Sequence, residues 1–375
     1  MAQRTFPARE TKPTGSGRRI VMLAATAALS AVVAVGCAVP PPAEGASDAI
    51  PALAVAHVAA VAPAAPAVEG VPYGSLPEQV LDVHLPKGGT GPFPVIVYVH
   101  GGGWIAGTRQ VVPDFLLAQV ERGIAVVSID YRLVTTAPDG TFVNSFPVPD
   151  TDVDHAVRFV KAHAATWNLD PRRVLLAGAS AGGHLAALAA AAPGVFVDPA
   201  LPAELTAVSP RVQGVLDFVG ISDFATFGTA GGWASGLMTA FLDCPALHVE
   251  LCDPTVVAAA SIASHLDADA PPAFLAYGGN DGLVVAGTQG SPLALAWTRA
   301  RGDGGVNPAW TRGVYYEQTA GDHNISASEL NVTAMQSWIN AAVAHPATTV
   351  AATVTAPGTA PGTAPGTASP ARPVR

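Results

Sequence analysis

Charged residues, and basic residues above all, are scarce in this chain. Only 13% of the 375 residues are charged, and 19 Lys and Arg stand against 28 Asp and Glu, which gives a formal net charge of −9. A nucleic-acid-binding surface needs a cluster or stripe of basic side chains, and the sequence has no such stripe. Nucleic acid is therefore excluded as a partner. With 50% apolar residues beside so little charge, the middle of the chain is expected to fold rather than stay disordered.

Cysteine is scarce as well. The three cysteines occupy no C-x-x-C frame, and the ten histidines include no H-E-x-x-H frame, so these common metal-binding patterns are missing. The sequence predicts neither a metal nor a cofactor. Cys244 and Cys252 lie eight positions apart. In an oxidising compartment this pair favours a disulfide, and two buried thiols are the alternative.

The apolar run from Ile20 to Val35 has sixteen residues, which is short for a membrane-spanning helix. Basic residues precede it, the order typical of an export signal. Ala34-Val35-Gly36-Cys37 then resembles a bacterial lipobox, in which Cys37 is acylated and becomes the first residue of the mature protein. We expect an exported protein that is held by its lipid on the outer face of the bacterial cytoplasmic membrane. Because Ala34 replaces the usual Leu, cleavage without lipidation, and hence free secretion, is the alternative.

The two ends of the chain differ in composition from its middle. After the export signal of residues 1–37, an Ala/Pro-rich tether is predicted for residues 38–69. Residues 346–375 contain three A-P-G-T units and predict a disordered, low-complexity tail. Between these ends, strand-like and helix-like runs alternate. Residues 70–345 are therefore expected to form one α/β domain, with a mainly parallel central sheet covered by helices on both faces.

A G-x-S-x-G motif lies at a predicted strand-to-helix junction. Gly178-Ala179-Ser180-Ala181-Gly182 follows the apolar run 174–177 and precedes an Ala-rich segment that ends at Ala192. In such an elbow the serine occupies a sharp turn that exposes its hydroxyl above the sheet. Ser180 is therefore the candidate nucleophile.

A glycine-rich segment upstream supplies candidate oxyanion donors. His100-Gly101-Gly102-Gly103-Trp104 comes directly after the apolar run 95–99. Consecutive glycines let the backbone approach a ligand closely. The N–H groups of Gly101 and Gly102, together with that of Ala181, would bind a developing oxyanion. An ordinary glycine turn is the alternative interpretation.

The acid and the base are expected to follow the serine along the chain. Asp281 lies in the loop after the strand-like run 273–277, and His323 lies in the loop after the run 314–317. His323 would take the proton from Ser180 while Asp281 orients its ring. Asp322 competes for the acid role, although a residue adjacent to His323 points poorly toward that ring.

Five sequence segments and two single residues together carry a family resemblance. They are Asp82-Val83-His84-Leu85-Pro86, His100-Gly101-Gly102-Gly103-Trp104, Asp130-Tyr131-Arg132-Leu133, Asp170-Pro171-Arg172-Arg173-Val174, Ser180-Ala181-Gly182-Gly183-His184-Leu185, Asp281 and His323. The set resembles the α/β-hydrolase superfamily, in its hormone-sensitive-lipase-like and bacterial carboxylesterase (feruloyl-esterase-like) branches. Ala179 replaces the Asp that the lipase-like branch usually has before its nucleophile, which favours the second branch.

The resemblance implies an α/β-hydrolase fold with a small cap insertion at about residues 223–270 and a Ser180–His323–Asp281 triad. Trp104, Trp233 and Met238 are candidate residues of the substrate pocket, with core packing as the equal alternative, and the glycine-rich part of the insertion suggests a lid.

The expected activity is that of a serine hydrolase that cleaves small-molecule carboxylic esters through an acyl-enzyme. An amidase, peptidase or formamidase-like enzyme with the same triad is the alternative. A non-catalytic protein that binds at the cell envelope is the third interpretation, because a fold alone does not fix function.

Overall fold

The computed structural model describes residues 66–227, 232–245, 248–302 and 313–344, without the side chains of residues 232 and 233. The expected export signal with Cys37, almost all of the tether and the whole low-complexity tail lie outside the described residues. The first strand begins at Val68, two residues before the predicted start of the folded domain at residue 70.

Ten strands lie in the described part of the chain. They are β1 (Val68–Pro72), β2 (Val80–His84), β3 (Phe93–Val99), β4 (Ala125–Ile129), β5 (Thr135–Thr136), β6 (Phe142–Val143), β7 (Leu169–Ala179), β8 (Gly214–Phe218), β9 (Ala273–Gly278) and β10 (Val314–Thr319). Strands β5 and β6 form a small antiparallel pair of their own.

Nine α-helices lie in the same residues. They are α1 (Asp114–Leu117), α2 (Val148–Ala162), α3 (Ala181–Ala191), α4 (Ala203–Thr206), α5 (Phe224–Phe227), α6 (Gly232–Phe241), α7 (Pro254–Ala260), α8 (Gly290–Arg301) and α9 (Val332–Ala344). None of the helices that the structure describes combines the length and the apolar character that a bilayer crossing requires.

The other eight strands form one sheet in the order β1-β2-β4-β3-β7-β8-β9-β10. Strand β2 runs antiparallel to both of its neighbours, and every pairing from β4 to β10 is parallel. The mainly parallel sheet expected from the alternation of strand-like and helix-like runs is confirmed.

Both faces of the sheet are buried, which explains the nearly continuous apolar sequence of its central strands. Along β3, Val95 and Val97 belong to one hydrophobic core and Ile96 and Tyr98 to the other, because successive side chains of a strand point to opposite faces. Helices α2, α3 and α8 pack into the first core. Helices α1 and α9 pack into the second, so the expectation of helices on both faces is confirmed.

The predicted site residues lie where the parallel strands end. Ser180 follows β7 directly, and the segment that starts at His100 follows β3. Asp281 and His323 lie within four residues of the ends of β9 and β10. Loops at the carboxyl edge of an open parallel sheet are the usual place for a binding site.

The segment between β8 and β9 contains helices α5, α6 and α7. A disulfide joins Cys244 to Cys252 after the end of α6, with the two Cα atoms 4.6 Å apart. The ring of Phe241, the last residue of α6, stacks on Trp104 at 4.3 Å between centroids. The region expected to form a cap insertion is therefore packed against the glycine-rich segment. Residues 228–231 of the expected lid lie outside the described residues.

Candidate active site

Ser180 occupies the turn between β7 and α3 in an unusual backbone conformation. Its φ is +55° and its ψ is −123°, and a positive φ is uncommon for any residue other than glycine. The Ser180 N–H donates to the carbonyl of Phe218 at 2.8 Å, and the Ser180 carbonyl accepts from the His184 N–H at 3.0 Å. The turn is therefore bonded to the neighbouring strand β8 and to the helix that follows it.

The two glycines of the motif are required by close backbone contacts. A Cβ on Gly178 would overlap the carbonyl of Gly182, and a Cβ on Gly182 would overlap the carbonyl of Val99. Because glycine has no Cβ, the strand and the helix can approach each other at this point. The local prediction of strand, tight turn and helix around Ser180 is confirmed by the positions of β7 and α3.

The structure brings Ser180, His323 and Asp281 together. His323 Nε2 lies 2.9 Å from Ser180 Oγ, and His323 Nδ1 lies 2.8 Å from Asp281 Oδ2. The Asp281 side chain is fully buried, whereas that of His323 is 25% exposed. Asp281 Oδ1 accepts the N–H groups of Leu283 at 2.8 Å and Val284 at 2.9 Å, which fixes the orientation of the carboxylate.

These contacts determine the position of the proton on the His323 ring. A carboxylate only accepts hydrogen bonds, so Nδ1 carries the proton that is shared with Asp281. Nε2 is then an acceptor for the Ser180 hydroxyl. This is the tautomer in which an imidazole can remove a proton from a serine.

Asp322 does not take the position of Asp281. Its side chain is exposed, and its Oδ1 accepts the N–H of Asn324 at 2.8 Å. The carboxylate caps its own loop, which leaves Asp281 as the carboxylate on the His323 ring.

The glycine-rich segment lies against the serine. A Cβ on Gly101 would lie 3.3 Å from the Cβ of Ser180 and 2.7 Å from the carbonyl oxygen of Ala179. Gly102 follows with a φ of +114°. On the other side, Ala181 is the first residue of α3, where a backbone N–H has no partner within its helix and carries partial positive charge. Gly101 and Ala181 therefore lie on either side of the turn that carries Ser180, and Gly102 follows Gly101 in the glycine-rich segment.

His100 holds the glycine-rich segment in place. Its ring stacks on Tyr131 at 4.4 Å between centroids, and the Tyr131 hydroxyl donates to the His100 carbonyl at 3.1 Å. Its Nδ1 lies 2.8 Å from the carbonyl of Gly101. Burial lowers the pKa of His100. The contacts give this residue a role in shaping the loop.

Trp104 lies in the hydrophobic core, so its interpretation as a residue of an open pocket is corrected. The side chain is 0% exposed, and its Nε1–H donates to His184 Nδ1 at 3.3 Å. His184 Nε2 in turn donates to the carbonyl of Ala260 at 2.9 Å. Burial lowers the pKa of His184 to about 4, so the ring is neutral and links the glycine-rich segment to the end of α7.

Helix α6 of the expected cap insertion presents a different residue to the glycine-rich segment from those predicted. Met238 is only 3% exposed and packs in the core, which corrects its interpretation as a pocket residue, and the Trp233 side chain lies outside the described residues. Leu237 is half-buried, and a Cβ on Gly103 would lie 2.6 Å from its Cδ2. Sequence reasoning missed Leu237 because the weak amphipathic pattern of α6 does not indicate which face meets the glycine-rich segment.

A cleft of about 650 Å³ opens on another part of the molecule. Tyr73, Gln79, Arg132, His155 and Asp198 are among its lining residues, and none of the predicted site residues is. Arg132 and Asp198 form an ion pair at 3.1 Å within it. The cleft is thus separate from the side chains around Ser180.

The chain is similar in sequence to known ester hydrolases. Over 197 residues the chain is 32% identical to the probable carboxylic ester hydrolase LipM of Mycobacterium tuberculosis, an alignment that covers 52% of this chain and 43% of that protein. The chain spans less than half the length of the curated relatives it matches.

Solved structures show the same fold. A truncated carbohydrate esterase from gut microbiota superposes with a TM-score of 0.61 at 21% identity, over 74% of this chain and 96% of that one. The structure of Thermogutta terrifontis esterase 2 phosphonylated by sarin superposes with a TM-score of 0.54 at 21% identity, over 73% of this chain and 92% of that one. The expected α/β-hydrolase fold is thereby confirmed.

The sequence pattern of the BD-FAE family matches residues 81–294, from β2 into α8. This match covers more than half of the chain and includes Ser180, Asp281 and the glycine-rich segment. The resemblance to the carboxylesterase branch of the superfamily is confirmed at this level. The chain belongs to the BD-FAE family of α/β hydrolases.

Proposed function

We propose that this protein is a serine hydrolase that cleaves carboxylic esters through an acyl-enzyme intermediate. The observation that carries the proposal is the continuous hydrogen-bonded series from Asp281 through His323 to Ser180. The name of its relative LipM, a probable carboxylic ester hydrolase, supports the same reaction class.

In the first half of the reaction, Ser180 Oγ attacks the carbonyl carbon of the ester while His323 Nε2 takes the serine proton. Asp281 stabilises the imidazolium that results. The negative charge that develops on the carbonyl oxygen is bound by the N–H groups of Gly101, Gly102 and Ala181. Such a preset donor typically stabilises the transition state by about 3–4 kcal/mol.

The first half ends when His323 returns the proton to the departing alcohol, which leaves the acyl group on Ser180. In the second half, a water molecule attacks the acyl carbon while His323 takes its proton. The bond between the acyl carbon and Ser180 Oγ then breaks, His323 returns the proton to Ser180, and the carboxylic acid leaves. Because the His323 side chain is 25% exposed, water can reach the imidazole for this step.

Replacement of the serine tests the proposal directly. We expect Ser180→Ala to lower kcat for p-nitrophenyl acetate on the order of 10⁶-fold, as removal of a triad serine does elsewhere. We also expect an organophosphonate to add its mass to the peptide that contains Ser180, and Ser180→Ala to stay unmodified. Hydrolysis by Ser180→Ala at the wild-type rate would show that Ser180 is not the nucleophile.

A matched ester and amide of the same acyl group test which bond is cleaved. We expect the ester to be hydrolysed far faster, because the proposal assigns an alcohol as the leaving group. Equal values of kcat/KM on the two compounds would favour the amidase or peptidase alternative instead.

We further propose that the protein is exported and anchored by acylated Cys37, a residue outside those that the structure describes. The support is the lipobox-like sequence before Cys37 and the basic, apolar order of residues 1–36. Removal of residues 1–36 deletes five basic residues and Glu10, which changes the formal net charge from −9 to −13. The mass of the mature N-terminal peptide, compared with that of Cys37→Ala, would show whether the cysteine carries a lipid.

A further inference from the structure

A buried carboxyl group and a buried tyrosine hydroxyl meet beside the turn that carries Ser180. Asp217, on β8, is 0% exposed, and Tyr277, on the adjacent strand β9, is also 0% exposed. Asp217 Oδ2 lies 2.8 Å from the Tyr277 hydroxyl oxygen, and Asp217 Oδ1 accepts the N–H of Gly220 at 2.8 Å. Asp217 forms no ion pair with any residue that the structure describes.

The hydrogen atoms available at this site decide the protonation state. The Tyr277 hydroxyl oxygen lies 2.8 Å from the carbonyl oxygen of Gly220 as well as from Asp217 Oδ2. A tyrosine hydroxyl has one hydrogen, and a carbonyl oxygen has none to donate. Both contacts can be full hydrogen bonds only if Asp217 supplies the second hydrogen.

The protonated arrangement uses every hydrogen once. Asp217 Oδ2–H donates to the Tyr277 oxygen, Tyr277 O–H donates to the Gly220 carbonyl, and Gly220 N–H donates to Asp217 Oδ1. We call this set of three hydrogen bonds the Asp217 ring. The ring leaves no polar group without a partner, and it leaves no isolated charge in the core, where an unpaired carboxylate is costly.

The surroundings of Asp217 favour the neutral acid. Burial raises the pKa of Asp217 to about 7, against the lowering effects of the hydrogen bonds from Tyr277 and Gly220. The titratable group facing it from β9 is Tyr277, which itself faces Asp281 and Tyr316. The elements on its other sides present glycine, namely Gly178 of β7 and Gly183 of α3.

The Asp217 ring encloses a strained turn. Val219 has a φ of +51°, and for a β-branched residue this is a marked outlier. Its neighbour Phe218 provides the carbonyl that accepts the Ser180 N–H at 2.8 Å. Gly220, on the other side of Val219, is held by both Asp217 and Tyr277. The conformation of this turn therefore fixes the position of the Phe218 carbonyl, which accepts the hydrogen bond from the Ser180 N–H.

The same ring supports the first turn of α3. A Cβ on Gly183 would overlap Asp217 Oδ1 and would lie 3.0 Å from the Cα of Gly220. That first turn also carries Ala181, one of the proposed oxyanion donors. Tyr277 lies four residues before Asp281 on the same strand and loop. The Asp217 ring therefore lies against the turn that binds Ser180 and against the first turn of α3, which carries Ala181. Its Tyr277 belongs to the strand that leads to Asp281.

We propose that Asp217 is a positioning residue for Ser180 and that it acts as a neutral acid, donating its hydrogen to Tyr277. The inference rests on the proposed esterase function, since the property that it controls is the position of the proposed nucleophile. Asp217 does not contact the reacting atoms.

Kinetics of three variants test the positioning role. Asp217→Asn keeps both hydrogen bonds, because an amide can donate to Tyr277 and accept from Gly220, and we expect its kcat to stay within about twofold of wild type. Asp217→Ala and Tyr277→Phe break the ring, and we expect kcat to fall roughly tenfold to a hundredfold with little change in KM, as a small misplacement of a reacting group does. Equal losses in Asp217→Asn and Asp217→Ala would overturn the proposal.

Tyr73→Phe is the matched control for Tyr277→Phe. The Tyr73 hydroxyl is also buried and also donates to a backbone carbonyl, that of Asp130, at 2.7 Å. We expect Tyr73→Phe to lower the unfolding temperature as Tyr277→Phe does but to leave kcat unchanged. A comparable loss of kcat in both variants would contradict the positioning role, because Tyr277 would then affect activity only through stability.

The pH profile tests the protonation state. Loss of the Asp217 hydrogen in alkaline solution breaks the ring, so wild-type kcat is expected to decline as the pH rises past about 7, whereas that of Asp217→Asn is not. An alkaline decline of the same midpoint in both proteins would contradict the proposal.

Infrared difference spectra separate this inference from the esterase proposal. The spectrum of wild type minus Asp217→Asn is expected to contain the carbonyl band of a protonated carboxyl group in mildly acidic solution, and to lose it in alkaline solution. Absence of that band in an active enzyme would overturn the role of Asp217 alone. A wild-type protein that has the band but hydrolyses no ester would instead overturn the proposed function, and the positioning role with it.

Discussion

At the scale of single residues, the site depends on positions where only glycine fits. Gly101 lies against Ser180, Gly182 lies against the carbonyl of Val99, and Gly183 leaves room for the carboxyl group of Asp217. The backbone can approach so closely at each position because glycine lacks a Cβ. Gly103 adds a second constraint, because its φ of +60° is one that other residues rarely adopt.

The contact between Gly103 and Leu237 yields a residue-scale prediction. In Gly103→Ala the new methyl group meets Leu237 Cδ2 at 2.6 Å, in a backbone conformation that costs about 1–2 kcal/mol for an L-residue. We expect kcat/KM for p-nitrophenyl acetate to fall roughly tenfold, because the glycine-rich segment shifts relative to Ser180.

Two further variants separate the causes of that loss. Gly103→Ala combined with Leu237→Ala is expected to recover part of the activity, since the clash is removed while the backbone strain remains. Gly236→Ala is the control in the same helix, because a Cβ there meets nothing within 4 Å, and it is expected to raise stability by about 0.5–1 kcal/mol. If the double variant recovers no activity, the loss in Gly103→Ala does not come from a clash with Leu237.

At the scale of elements, the cap helix α6 is fixed at its C-terminal end. Phe241 stacks on Trp104, and the Phe146 N–H donates to the Phe241 carbonyl at 2.7 Å. The Cys244–Cys252 disulfide closes the loop that follows. Since Leu237 lies one turn before Phe241, these anchors also fix the apolar side chain that rests on Gly103.

Removal of the disulfide tests this coupling between the cap and the site. We expect Cys244→Ala combined with Cys252→Ala to lower the free energy of unfolding by about 2–3 kcal/mol, the entropy effect of a short closed loop. We also expect kcat/KM to fall while the reactivity of Ser180 toward a small organophosphonate is kept. Unchanged kcat/KM in a measurably less stable protein would show that the cap does not act on the site.

At the scale of the whole described domain, two hydrophobic cores share one sheet. Leu175 and Leu176 are neighbours on β7, yet the first packs into the core under α1 and α9 and the second into the core under α2, α3 and α8. Both are nearly fully buried, at 0% and 1% exposure. Because β7 ends directly before Ser180, damage to either core can reach the site through this strand.

Truncation of each leucine tests whether the two cores unfold together. We expect Leu175→Ala and Leu176→Ala each to lower the free energy of unfolding by about 2–5 kcal/mol, and fluorescence and loss of ester hydrolysis to report one coincident transition in both. Leu295→Ala, at a residue 49% exposed, is the control and should change stability little. Two separate transitions would mean that the cores are independent.

Features that depend on neighbouring residues were predictable from the amino-acid pattern. The strand, turn and helix around Ser180 follow from an apolar run, two glycines and an Ala-rich segment, and the order of the loops after β9 and β10 follows from short apolar runs ended by glycine and aspartate. The parallel sheet with helices on both faces was also predictable, because strand-like and helix-like runs alternate along the middle of the chain. Local backbone sterics and periodicity are sufficient for such features.

Contacts between side chains of distant elements were not predictable and are seen only in the folded protein. Trp104 was a candidate pocket residue but lies in the core, because Phe241 of α6 and His184 of α3 pack against it. No sequence pattern indicated a role for Leu237 or Asp217. Leu237 lies against Gly103 and Asp217 is hydrogen-bonded to Tyr277, and both partners are far away in the chain. Local backbone sterics specify the conformation of neighbouring residues. Burial and long-range hydrogen bonds, in contrast, form only when distant segments pack together.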